Sequence, residues 1–322
     1  MEKKYRFNDQ FENWEIKSKK VLDEMNGTLF LIDVNTGEPV EATIIFLYST
    51  LNYSGYYCRG IARIGDDIGT LFVPTSGAYG ASCRLYFDPD PALSDPTTYN
   101  AKIEGIVRDL DDDCRYSDDT THTSGPKDSE KMKLFVNQYH AMQRRNHNPD
   151  IPYTEHLYGV ASVLQTIAEN CKEIPEKELN ILIQAALGHD LLEDTAIQEN
   201  RIRWEINEEV LQLIKELTNP NDDAHLDEYM KKLASDSEEA RLIKYADLIE
   251  NTSSFCYSLH EPNIESPIQR AKDFYIPILT ETTEVLAETS FEKYPKTAEA
   301  LRLTLKVYKN LLFSRIELLE SE

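Results

Sequence analysis

The stretch Ala185-Ala186-Leu187-Gly188-His189-Asp190-Leu191-Leu192-Glu193-Asp194-Thr195 decides how this chain is read. Leu187, Leu191 and Leu192 carry the spacing of a buried helix, yet one imidazole and three carboxyl groups interrupt it. On a helix, Asp190 lies three and four residues before Glu193 and Asp194, so the acids share one face. Burying such a set is costly unless a cation or a network of partners compensates. The stretch is therefore a candidate metal site set into a helical domain.

Outward from it, the helical pattern continues on both sides. Apolar residues recur at three- and four-residue spacing over 131–145, 154–170, 176–192, 205–218, 227–233, 237–259, 267–288 and 297–319. The first third of the chain has a different texture. The runs 28–33, 40–48, 56–64, 69–73, 81–87 and 101–108 are rich in β-branched and aromatic residues. Turn signals such as Asn35-Thr36-Gly37 and Asp88-Pro89-Asp90-Pro91 separate them. The expectation is an α+β, two-domain chain: a small antiparallel β sandwich or barrel, then an all-α bundle. The expected divisions are a helix over 1–25, a β-rich domain over 26–109, an acidic linker over 110–129 and the helical domain over 130–322.

Against 34 Lys and Arg stand 57 Asp and Glu, a net charge of -23 that disfavours nucleic acid and anionic membranes as partners. An anionic substrate then needs a local basic patch. Five scattered cysteines without a Cys-x-x-Cys pair fit reduced thiols. No apolar run is long enough to span a bilayer, and a cytoplasmic location is expected.

Three other segments place polar groups on apolar helix faces. Pro152-Tyr153-Thr154-Glu155-His156 puts His156 in a first helical turn, and Lys244, Asp247 and Asn251 form one stripe of a later helix. His140 to His147 closes the first helix with Arg144 and Arg145. Two histidines and two aspartates from three helices make a mixed nitrogen and oxygen set suited to Mn²⁺, Fe²⁺ or Zn²⁺.

The order His156, His189-Asp190, Asp247 resembles the H…HD…D signature of HD-domain phosphohydrolases. His140-x-x-Gln143-x-Arg145, Pro152-Tyr153-x-x-His156, His189-Asp190-x-x-Glu193-Asp194-Thr195 and Lys244-x-Ala246-Asp247-x-x-x-Asn251 resemble the hydrolase domain of Rel/SpoT alarmone enzymes and of the small alarmone hydrolases. The resemblance spans roughly residues 131–286 and implies an HD-type helical bundle. It implies His156, His189, Asp190 and Asp247 as metal ligands, Mn²⁺ or another divalent ion as cofactor, and Glu193 and Asp194 as catalytic acids that orient or deprotonate water. Arg144, Arg145, Lys244, Asn251, Arg270 and Phe274 become the implied substrate contacts.

The implied reaction removes the 3′-pyrophosphate of (p)ppGpp, and the implied role extends to an antitoxin whose cognate toxin docks on the β domain. Asn146, Leu157 and Phe274 depart from the family pattern of a basic residue, a proline and a tyrosine. Those departures keep other readings open: a (p)ppApp, NADPH or other nucleotide hydrolase, or a non-catalytic nucleotide- or partner-binding protein.

Overall fold

In the computed structural model the described residues are 28–33, 39–52, 55–64, 67–74, 82–87, 98–102, 129–146, 148–219, 226–259 and 265–321. The helix expected before Met25 and the acidic linker up to Asp128 lie outside them.

Six strands form the N-terminal part: β1 (Thr28–Asp33), β2 (Pro39–Asn52), β3 (Gly55–Ile64), β4 (Asp67–Pro74), β5 (Ser82–Phe87) and β6 (Thr98–Lys102). Each pairs antiparallel with the next, and β1 also pairs with β6, so a single sheet takes the place of two stacked ones. The β2–β3 register shifts between Ile44 and Phe46, so the ladder carries a bulge there. It accounts for Ile45 and Phe46 being buried in succession, where an unbroken strand would alternate. By compactness, residues 252–264 and 303–322 group with this sheet. Within that unit the Phe46 ring meets Tyr308 edge-on at 6.4 Å, and the Arg59 guanidinium lies 5.5 Å above Tyr257.

The second unit takes in residues 119–251 and 265–302. Its first elements are α1 (Ser129–Tyr139) and the two-stranded hairpin β7 (Arg144–Arg145) and β8 (Asn148–Pro152). The helices α2 (Tyr153–Cys171), α3 (Glu176–Gly188), α4 (Leu191–Asp194), α5 (Glu199–Glu205) and α6 (Glu208–Leu217) follow. Then come α7 (Leu226–Ser235), α8 (Glu238–Ser258) and α9 (Glu265–Arg270). A π-helical turn (Ala271–Tyr275) leads into α10 (Ile276–Glu288), and α11 (Pro295–Ser321) closes the chain. Leu157, Val160 and Leu164 of α2 and Ala185, Ala186 and Leu187 of α3 are fully buried, which is the apolar stripe their spacing foretold.

Three boundaries differ from the sequence reading, each for a local reason. The first helix stops at Tyr139, ahead of Arg144 and Arg145, because the chain there turns into the β7–β8 hairpin. The helix expected over 205–218 starts only at Glu208, since Asn207 is extended and its side chain caps the Val210 N–H at 2.7 Å, and Glu205 ends the helix before it. The deciding stretch itself is not one helix: α3 ends at Gly188 and α4 begins at Leu191. A Cβ on Gly188 would come within 2.8 Å of Met132 Sδ and 3.0 Å of Ile214 Cδ1. Glycine thus lets α3 end tight against α1 and α6, and the chain turns at His189-Asp190.

Candidate metal centre

The break between α3 and α4 presents His189 and Asp190 together. The His189 Nδ1–H donates to the Ala186 carbonyl at 2.8 Å, which fixes the tautomer and leaves Nε2 as the ring's lone-pair nitrogen. That Nε2 lies 3.1 Å from Asp190 Oδ2 and 3.8 Å from Asp247 Oδ1. His156, on the first turn of α2, points its own Nε2 at the same place, 3.6 Å from Asp190 Oδ2 and 3.3 Å from Asp247 Oδ1. Four donors from α2, the α3–α4 turn and α8 therefore converge.

Donors held at 2.0–2.2 Å from one ion lie roughly 3.0–3.5 Å apart in octahedral or tetrahedral geometry. The separations of 3.1 to 3.8 Å fit that requirement with a small contraction. The donor chemistry fits as well: two neutral imidazole nitrogens and two carboxylate oxygens suit a borderline or hard divalent cation.

The supporting groups are specific. Tyr153 donates its hydroxyl to Asp190 Oδ2 at 2.7 Å. Lys244 donates to Asp247 Oδ2 at 2.8 Å, and the Asn251 amide donates to Asp247 Oδ1 at 2.6 Å. Asn251 in turn accepts from Arg145 at 2.6 Å. His140 stacks on the Tyr153 ring and bonds Gln143, whose amide donates to the Asp194 carbonyl at 2.9 Å.

The field of this cluster favours positive charge at its centre. Burial alone would push the Asp247 carboxyl up, but Lys244, His156 and His189 hold it well below the usual range. Asp190 is likewise buried yet kept low by His189 and His156. Burial works against a charged His189, but Asp190 and Asp247 outweigh it and raise the imidazole to about 9. One turn on, the sign reverses. Burial, and then the charge of Asp190, push the Glu193 and Asp194 carboxyls up from their ordinary values. Both side chains still keep an edge open to solvent. The Asn219 N–H donates to Glu193 Oε2 at 2.8 Å and fixes that carboxylate.

The structure brings His156, His189, Asp190 and Asp247 together and sets Glu193 and Asp194 beside them. Arg145, Lys244 and Asn251 join the site through bonds to one another and to Asp247. Arg144 is exposed, with one nitrogen 2.9 Å from the Gln143 carbonyl. Arg270 lies over Phe274 at 4.2 Å, a pair of its own where α9 meets the π-helical turn. Two contributors escaped the sequence reading. Tyr153 was legible only as part of a motif, and Glu250, which takes the His156 Nδ1–H, gave one available signal. It is a lone carboxylate in an apolar helical turn, three residues after Asp247.

Residues 153–252 match the HD domain family, and they hold the H…HD…D donors in order. Its relatives include the guanosine-3′,5′-bis(diphosphate) 3′-pyrophosphohydrolase MESH1 of Homo sapiens, 31% identical over 123 residues, and that of Mus musculus, 29% identical over 120. Each match covers 36% of this chain and 63% of the relative. The Drosophila melanogaster MESH1 is 31% identical over 118 residues, 60% of its length. The chain thus spans less than two thirds of the relatives it matches. A solved structure of a metazoan SpoT orthologue that hydrolyses ppGpp aligns over 58% of this chain and 97% of its own, at 21% identity and a TM-score of 0.46.

Proposed function

We propose that this chain is a divalent-metal-dependent phosphohydrolase that removes the 3′-pyrophosphate of (p)ppGpp-type alarmones, with Mn²⁺ as its ion. The observation that carries the reading is the convergence of His156 and His189 Nε2 with Asp190 and Asp247 oxygens within 3.8 Å, beside two upward-shifted acids. A divalent ion bound there supplies a Lewis acid and brings the pKa of water toward neutrality.

The side chains divide the remaining work. Glu193 and Asp194, open to solvent and shifted up by burial, would take a proton from the attacking water. The Asn219 N–H keeps Glu193 aimed. Lys244 neutralises the oxygen of Asp247 that faces away from the two histidines. Arg144, exposed beside the buried Arg145, is the guanidinium this reading assigns to a phosphate group. Arg145 itself orders Asn251. Arg270 and Phe274 offer a cationic and an aromatic surface to a nucleoside. Phe274 has no hydroxyl to discriminate bases, which keeps (p)ppApp as the second substrate reading.

Purified full-length protein with Mn²⁺, offered ppGpp, pppApp and NADPH in parallel, tests both. Pyrophosphate release from ppGpp, abolished by Asp190→Ala, is the expected result. Turnover of pppApp alone would replace the guanine reading. No release from any of the three would leave the metal centre without this activity. The antitoxin role, with a toxin bound through the β unit, predicts that co-expression rescues growth from a toxic alarmone synthetase.

A further inference from the structure

His156 is held from behind by a residue that no sequence motif pointed to. Its Nδ1–H donates to Oε2 of Glu250, a carboxylate that is 1% exposed. The same oxygen lies 3.4 Å from the Arg145 guanidinium, so one buried acid serves the ligand face and the Arg145–Asn251 pair together. Glu250 sits on the Nδ1 side of the ring, opposite the nitrogen that faces Asp190 and Asp247, which rules it out as a further donor to the same ion. The fold reserves space for it. A Cβ on Gly159, one turn after His156 on α2, would stand 2.6 Å from Glu250 Cγ. A glycine is therefore needed for α8 to bring this carboxylate up to α2.

We propose that Glu250 is the positioning residue of the metal centre. Its carboxylate fixes the His156 tautomer and ring angle and couples that ligand to Arg145. The proposal rests on His156 being a metal ligand. A carboxylate behind a ligating imidazole typically carries about 10–100-fold of metal affinity. The second histidine has only a backbone carbonyl in that place, so the two imidazoles are unequal donors by construction.

The test is Mn²⁺ titration of chelated full-length protein, followed by electron paramagnetic resonance, for wild type, Glu250→Gln and Glu250→Ala. Glu250→Gln keeps the shape and an acceptor oxygen but removes the charge. It is expected to lose about tenfold in affinity, and Glu250→Ala about a hundredfold, with folding of each variant checked by melting. A merely structural Glu250 would lower the melting point and leave the affinity of the folded protein unchanged, and wild-type affinity in folded Glu250→Gln overturns the proposal. A wild type that binds no Mn²⁺ overturns the metal reading itself, a distinguishable failure. Should Glu250→Gln not fold, Zn²⁺-loaded wild type decides: the His156 Nδ1–H proton is expected far downfield and slow to exchange, and its absence there overturns the proposal.

Discussion

Asp190 and Asp247 on one side, and Glu193 and Asp194 on the other, are four carboxyl groups of one site with opposite electrostatics. The first pair faces two imidazoles and, at Asp247, the Lys244 ammonium, and both are held ionised far below the ordinary range. The second pair lies one helical turn away, with burial and the Asp190 charge against it, and both are pushed up. Carboxyls whose environments drive them apart in this way are suited to different tasks. In the proposed division of labour one pair holds a cation and the other accepts a proton.

The largest effect should follow from breaking the first pair. Asp247→Ala leaves Lys244 and Asn251 facing a gap and removes one of four donors. We expect loss of Mn²⁺ binding in the same titration, and phosphohydrolase activity at background. Next comes the second pair. Glu193→Gln should lower kcat by about 10²–10⁴-fold, the usual range for a general base, while Mn²⁺ affinity stays near wild type. A parallel fall in metal affinity would move Glu193 into the ligand set.

The pH dependence sharpens the comparison. A carboxyl whose folded-state pKa is raised binds more protons folded than unfolded, so its contribution to stability is full at low pH. That contribution is lost as pH rises through the raised value. Chelated Glu193→Gln is therefore expected to melt above wild type at neutral pH, with the difference vanishing below the ordinary glutamate range. For kcat, the acid limb should lie above the ordinary value of a free carboxyl in wild type and shift in Asp194→Asn, which pH–rate profiles would read. The smallest effect is expected at the edge of the first pair. Tyr153→Phe removes the hydroxyl bond to Asp190, worth about 1.5–3 kcal/mol as a bond to a charged group, and should weaken Mn²⁺ binding by roughly tenfold.

Much of the site was legible. His156, His189-Asp190 and Asp247 stood out because ionisable groups on apolar helix faces need a compensating partner, and a mixed nitrogen and oxygen set names that partner as a metal. The helices were legible from the same periodicity that buries Leu157, Val160 and Leu164. The first strand was read as residues 28–33 and is observed there. The turn inside the deciding stretch was not legible, because its cause is the approach of Met132 and Ile214 to Gly188, two contacts remote in sequence.

The sequence by itself determined which side chains could bind a cation, since that follows from residue chemistry and local period. Only the tertiary structure decided what each one faces. Glu250 and His156 are 94 positions apart, and Arg145 and Asn251 are 106 apart. No periodicity reaches across such distances. The close approach of α8 to α2 at Gly159 makes Glu250 the support of His156, and the β7–β8 hairpin carries Arg145 onto Asn251 and Glu250. Packing also gives four similar acids two opposite charge environments, because burial and the nearest charge are properties of the fold.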